Sequence, residues 1–194
     1  MNNLSPEFTQ TVQVLNSKYQ PIFEKVNKAL QEAHAKLKID TLMDFNSVTH
    51  ASQRQQARER LQQFEAHLAK IKTVTDTQIR NYGEELKQLA GQLPLTQREP
   101  FLVEASQAIN TKNDQRYLEH HVQIQSLQLL RGLLDFFDQH QGRIEVANNQ
   151  LNFKDPELLA IYKVNLYQIY SLARLAQQFV KPPTQATAPA PTLH

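Results

Sequence analysis

Cysteine is absent. The chain can therefore form no disulfide, offer no thiolate to a metal and use no cysteine nucleophile, and its redox compartment stays open. Glycine occurs four times in 194 residues, which disfavours a turn-rich β-sandwich, and the glycine-rich loops that cradle phosphates or dinucleotides are missing. No G-x-S-x-G elbow presents a serine nucleophile. No charge of one sign predominates: the formal net charge is +2 and neither half is a basic domain, so nucleic acid is a poor default partner. Apolar runs all fall short of a bilayer span, and Met1 to Gln10 lacks the charged start and apolar core of a signal peptide. The expectation for the chain as it stands is cytoplasmic, or periplasmic or membrane-anchored if an N-terminal signal was trimmed.

What is present is helical patterning, with 40% apolar residues. Ser5-Pro6-Glu7 reads as a helix start, and Phe8, Val12, Leu15, Tyr19, Ile22, Val26, Ala29 and Ala33 follow at alternating steps of four and three. Pro21 inside this pattern removes a backbone hydrogen bond and predicts a kink. The period fails from Lys38 to Thr49, which predicts a turn with Leu42 and Phe45 tucked against the bundle end. A second helix is predicted from about Ala51 to Ala90, about 60 Å long at the helical rise. Gly91 and Pro94 mark its end, and Thr96 with Glu99 reads as a capping box for the third. Asn110 to Arg116 is almost wholly polar. Either helix three breaks there or it runs on with a polar layer facing solvent, and the second is the favoured expectation.

From Tyr117 the third helix becomes strongly apolar. Tyr117, Ile124, Leu127, Leu130, Leu134 and Phe137 form one stripe, and Leu118, Val122, Leu129, Leu133 and Phe136 a second beside it. A face this wide predicts contact with more than one neighbour. Gly142 suits the left-handed position that ends a helix. The period then becomes two, with Asn148-Asn149 between Ile144, Val146 and Leu151, Phe153. A type I′ turn there sets Ile144 opposite Phe153 and Val146 opposite Leu151, all on one face. Since an isolated ribbon is marginal, the hairpin is expected to lie against the bundle. Asp155-Pro156-Glu157 starts the last helix, whose buried stripe is read as Leu158, Ile161, Tyr162, Ile169, Leu172, Ala176 and Phe179.

The expected fold is thus mainly α: an elongated up-and-down bundle of about four long helices in a single domain, 1–180, with a small β-hairpin at about 143–153 before the last helix. Residues 181–194 form a Pro/Ala/Thr-rich tail unable to bury a core and expected to be disordered.

Chemistry-bearing constellations are scarce. Glu32-Ala-His34, Glu65-Ala-His67 and Glu119-His120-His121 lack the Glu-x-x-His spacing of di-metal bundles. His120 and His121, adjacent on a helix, point about 100° apart and cannot chelate one ion. No catalytic, cofactor or metal site is therefore assigned. Arg54, Arg58, Arg60, Lys70 and Lys72 make the one local charge excess and are the candidate contacts to an anionic surface, either lipid headgroups or nucleic acid; the bland alternative is a solvated face laced with glutamines. Tyr162, Tyr167 and Tyr170 surround the last helix on more than one side, which motivates self-association. The leading expectation is a non-enzymatic protein that binds a protein partner or a copy of itself through its helical faces. The alternatives are a rod on an anionic surface and a ligand-binding or sensor bundle with a pocket lined by histidine or tyrosine.

Overall fold

A computed structural model gives the structure of residues 4–44, 48–147 and 150–180, with backbone only for 40, 43 and 176–180. Four long helices run up and down: α1 (Pro6–Lys36), α2 (Ala51–Ala90), α3 (Leu95–Gln139) and α4 (Pro156–Val180). A short 3-10 turn, Ile39–Met43, joins α1 to α2, and a hairpin of β1 (Ile144–Ala147) and β2 (Gln150–Phe153) precedes α4. Each helix packs on the next in sequence, as short connections between antiparallel neighbours require. At the helical rise α3 is about 68 Å long, so the bundle is elongated.

Local chemistry sets the element ends. Ser5 caps α1 by accepting from the Phe8 amide at 3.2 Å, and Asp155 accepts from the Glu157 amide at 2.9 Å. Helix α1 continues through Pro21. Between α1 and α2, Leu42 is buried as expected, while Phe45 lies outside the described residues. The expected Thr96–Glu99 capping box is not used. Helix α3 begins at Leu95, two residues before the Gln97 start that a Thr96 cap implies, after Pro94, which has no side-chain cap to offer. Arg98 instead reaches back from the first turn, its guanidinium donating to the carbonyls of Ala90, Gly91 and Leu93 at 3.2, 2.9 and 3.2 Å. It thereby ties the first turn of α3 to the end of α2 and the link between them, and gives the Ala90 carbonyl a second donor beside the Leu93 amide.

The hairpin has the expected register, Ile144 opposite Phe153 and Val146 opposite Leu151; Asn148 and Asn149 lie outside the described residues. Gly142, at φ +84, provides the left-handed residue between α3 and β1. Ile144, Leu151 and Phe153 pack onto the core, with the Phe153 ring 5.2 Å from that of Tyr162. Val146 remains exposed.

The apolar interior is divided in two. At the hairpin end all four helices contribute: Ala33 and Leu37; Ala57, Leu61, Phe64 and Leu68; Leu127 to Phe137 of α3; and Leu158 and Ile169. At the far end α1, α2 and the start of α3 share a smaller core around Phe8, Tyr19, Leu86 and Phe101. The Phe8 and Phe101 rings meet edge-on at 5.2 Å. Helix α3 runs unbroken through 110–116. The expectation that its polar layer faces solvent holds only in part, because Asn113 and Arg116 turn half-buried into the seam between the two cores. The α3 stripes begin to bury at Val122 rather than Tyr117, and both Tyr117 and Leu118 are exposed. On α4, Leu158 and Ile169 are buried, but Ile161 is exposed; the side chains of Ala176 and Phe179 lie outside the described residues. No helix among the described residues is long and apolar enough to cross a membrane.

Candidate functional site

The five cations of the sequence-level cluster do not share one free face. Arg54 is buried at 3% exposure, because the α2 N-terminus is tucked beneath the α3 C-terminus. Its Nε donates to Asp138 at 2.5 Å and its Nη1 to the carbonyls of Val48 and Thr49 at 3.0 and 2.9 Å. Arg58 bridges Asp135 and Asp138 at 2.7 and 2.6 Å. Both acids raise its pKa, and Asp138 answers in kind: burial works to push its carboxyl up, but Arg54 and Arg58 together hold it below the usual range. Arg60 donates to the Thr41 hydroxyl at 3.2 Å and keeps a buried Nε without a partner. Lys72 binds Asp76 one turn on at 2.6 Å. Lys70 is exposed. Arg54 and Arg58 thus act as ties between α2 and α3, and the charge presented to solvent is much smaller than the sequence count.

Two cavities open where the cores separate, of about 300 and 590 Å³. Both are lined by Phe23, Asn27, Lys112, Asn113 and Arg116, so they are lobes of one seam. The larger lobe has apolar walls from Ile79, Leu86, Phe101, Ala105 and Ile109. The smaller is mixed, setting Lys72, Asp76, Glu119 and His120 beside Leu30, Leu68 and Ile71.

The groups at the junction are electrostatically unusual. The Arg116 guanidinium stacks over the Phe23 ring at 4.1 Å, and among the described residues it makes no hydrogen bond or ion pair. Burial lowers its pKa against the opposing pull of Glu119. Burial also lowers that of His120, with Lys72 adding to the effect, so a neutral imidazole faces the smaller lobe. Its Nε2 is shut off from solvent and has no hydrogen-bond partner, a costly state for a polar atom. Lys72 lies 4.9 Å from the centre of the Tyr117 ring. Such a junction can hold an anion by charge and hydrogen bonding. Among the described residues no three acidic or histidine side chains are grouped to hold a metal. The sequence signal for this site was the polar run 110–116 in an otherwise apolar helix; His120 was weighed only as a chelating pair with His121, and Arg116 was not singled out, because nothing local shows which of these residues turns inward.

A second unusual surface is the outer side of α4. Glu157, Ala160, Val164, Tyr167, Ser171 and Arg174 recur at steps of three, four, three, four and three, and all six are exposed. Val164 is 55% and Tyr167 74% exposed, with Ile161 and Tyr170 exposed on the two flanks. This is the spacing of a helix-pairing seam, on the side of α4 away from Leu158 and Ile169. No protein-family model matches the chain, and comparison with curated proteins and with solved structures found no match.

Proposed function

We propose that the protein is a non-enzymatic assembly module that pairs with a second copy of itself through the outer face of α4. The observation that carries this reading is the exposed seam from Glu157 to Arg174. Large exposed apolar groups gathered on one face favour an interface, and this face is self-complementary. In an antiparallel pair related by a two-fold axis, Glu157 stands opposite the partner's Arg174, Ala160 opposite the partner's Ser171, and Val164 opposite the partner's Tyr167. Two symmetric charge pairs then close the ends of a contact about 27 Å long. Small residues let the helices approach, and each tyrosine covers a valine. A parallel pair would instead set Glu157 against its own copy. Two-fold dimers are the commonest closed assembly.

Light scattering with small-angle X-ray scattering, over a range of concentration and salt, tests the reading. An elongated dimer is expected, reduced to monomer by Val164→Glu with Tyr167→Glu. Glu157→Arg or Arg174→Glu alone should weaken it several-fold at low salt, since exposed pairs contribute up to about 1 kcal/mol each. The two reversals together should restore it. A wild-type chain that stays monomeric at every concentration would refute the proposal, and failure of the double reversal to rescue would refute the antiparallel register.

A further inference from the structure

We infer that the seam between the two cores is a binding site for a single-chain amphipathic anion, with its head at Arg116 and Lys112 and its apolar body in the larger lobe. This inference does not rest on the pairing of α4, which involves a different surface. The larger lobe, about 590 Å³, falls within the roughly 300–1,000 Å³ of small-molecule sites. Its walls combine Ile79, Leu86, Phe101 and Ala105 from α2 and α3, which suits an alkyl or aromatic body. Lys112 and Arg116 stand where this lobe meets the smaller one.

The two lobes together are lined by three cations, Lys72, Lys112 and Arg116, and by four acids, and Arg116 sits half-buried with no ion pair among the described residues. Of the acids nearby, Asp76 is taken by Lys72, Glu119 accepts from the Gln115 amide at 3.2 Å, and Glu24 and Glu104 sit exposed along the larger lobe. A half-buried guanidinium without an acid partner is unfavourable unless something supplies one. Carboxylate and phosphate heads both match its planar pair of donors, and can accept two parallel hydrogen bonds from it. His120 lines the smaller lobe beside it, and its Nε2, shut off from solvent, has no partner in the protein. The Phe23 ring, 4.1 Å from the Arg116 carbon, holds the guanidinium plane in place before a ligand arrives.

Calorimetric titration of the full chain with dodecanoate, dodecyl phosphate and dodecanol, each below its aggregation limit, tests this. Saturable binding of at least one anion is expected, and whichever of the two binds more tightly identifies the head chemistry. Dodecanol, with the same body and no charge, should bind at least about tenfold more weakly, as should the tighter anion to Arg116→Gln, given the usual strength of a charged hydrogen bond. Ala105→Trp, which fills the larger lobe, should abolish binding while the far-ultraviolet circular dichroism stays that of wild type. Four results would each overturn the inference: no saturable binding of either anion; dodecanol binding as tightly as both; Arg116→Gln binding like wild type; or a folded Ala105→Trp still binding. The comparison of anion with alcohol uses the wild-type chain, so it decides the matter even if a variant fails to fold.

Discussion

Replacing Arg54 by methionine should destabilise the protein by about 3 kcal/mol, and the figure follows from its three hydrogen bonds. Two of them satisfy the carbonyls of Val48 and Thr49 at 3.0 and 2.9 Å, just before the first turn of α2. Leaving a buried acceptor unpaired costs about 1–3 kcal/mol, and the lower half of that range applies because Thr49 is only half-buried. The third partner, Asp138, is 41% exposed and keeps Arg58 at 2.6 Å. Its charge is not stranded, so its share is that of a surface pair, at most about 1 kcal/mol. Methionine preserves the apolar stem, which confines the loss to the polar head. Arg58→Met is the internal comparison: its side chain is 28% exposed and both its acids are partly solvated, so about 1 kcal/mol or less is expected. Urea unfolding followed by circular dichroism measures both, and the midpoint should fall with the slope unchanged. A loss below about 1 kcal/mol for Arg54→Met, or no difference between the two variants, would mean that Arg54 is not a structural tie and would revive a surface role for it.

Leu61→Ala and Leu133→Ala, each removing a side chain at most 1% exposed, should cost about 2–5 kcal/mol; Val14→Ala, at 65% exposure, should barely move the urea midpoint. Gly142→Ala should cost about 1–2 kcal/mol from its left-handed backbone alone, since a Cβ there meets no atom within 4 Å; a neutral result would show that the turn relaxes. Stability should be flat near neutral pH and fall in acid. Lys18, with Tyr19, holds the Glu85 carboxyl below its ordinary value, and Arg54 and Arg58 do so for Asp138. Depressed carboxyls stabilise the fold above their unfolded pKa values near 4 and lose that contribution as pH falls through the folded ones. Urea midpoints from pH 7 to 3 check this, and Glu85→Gln should flatten part of the acid limb. At the other extreme, burial and the hydrogen bond to Glu85 push the Tyr19 phenol up to about 12, so its absorbance should titrate well above that of a free tyrosine.

Much of the fold was legible because it depends on local chemistry. The starts at Ser5 and Asp155 are side-chain caps, reading over two or three residues. The hairpin register follows from alternation and a two-residue turn, and α2 spans Ala51–Ala90 as its period indicated. Thr96 was misread for the same reason: its capping box is a local pattern, but Pro94 and the reach of Arg98 back to α2 settled the start of α3. The site was less legible. Arg54 looked like surface charge because its partner Asp138 is 84 positions away, and Ile161 fitted a buried stripe that the neighbour of α4 does not cover.

By itself, then, the sequence determined which segments are helix and strand, where all but α3 begin, and which faces are apolar, since period, caps and turn residues act within a few positions. Tertiary structure alone decided which of those faces are covered. The successive packing of α1 to α4 left the outer seam of α4 bare, parted the interior around Arg116, and turned two arginines of the apparent basic face inward as ties. Burial depends on what the rest of the chain brings alongside, and no stretch of sequence carries that information for itself.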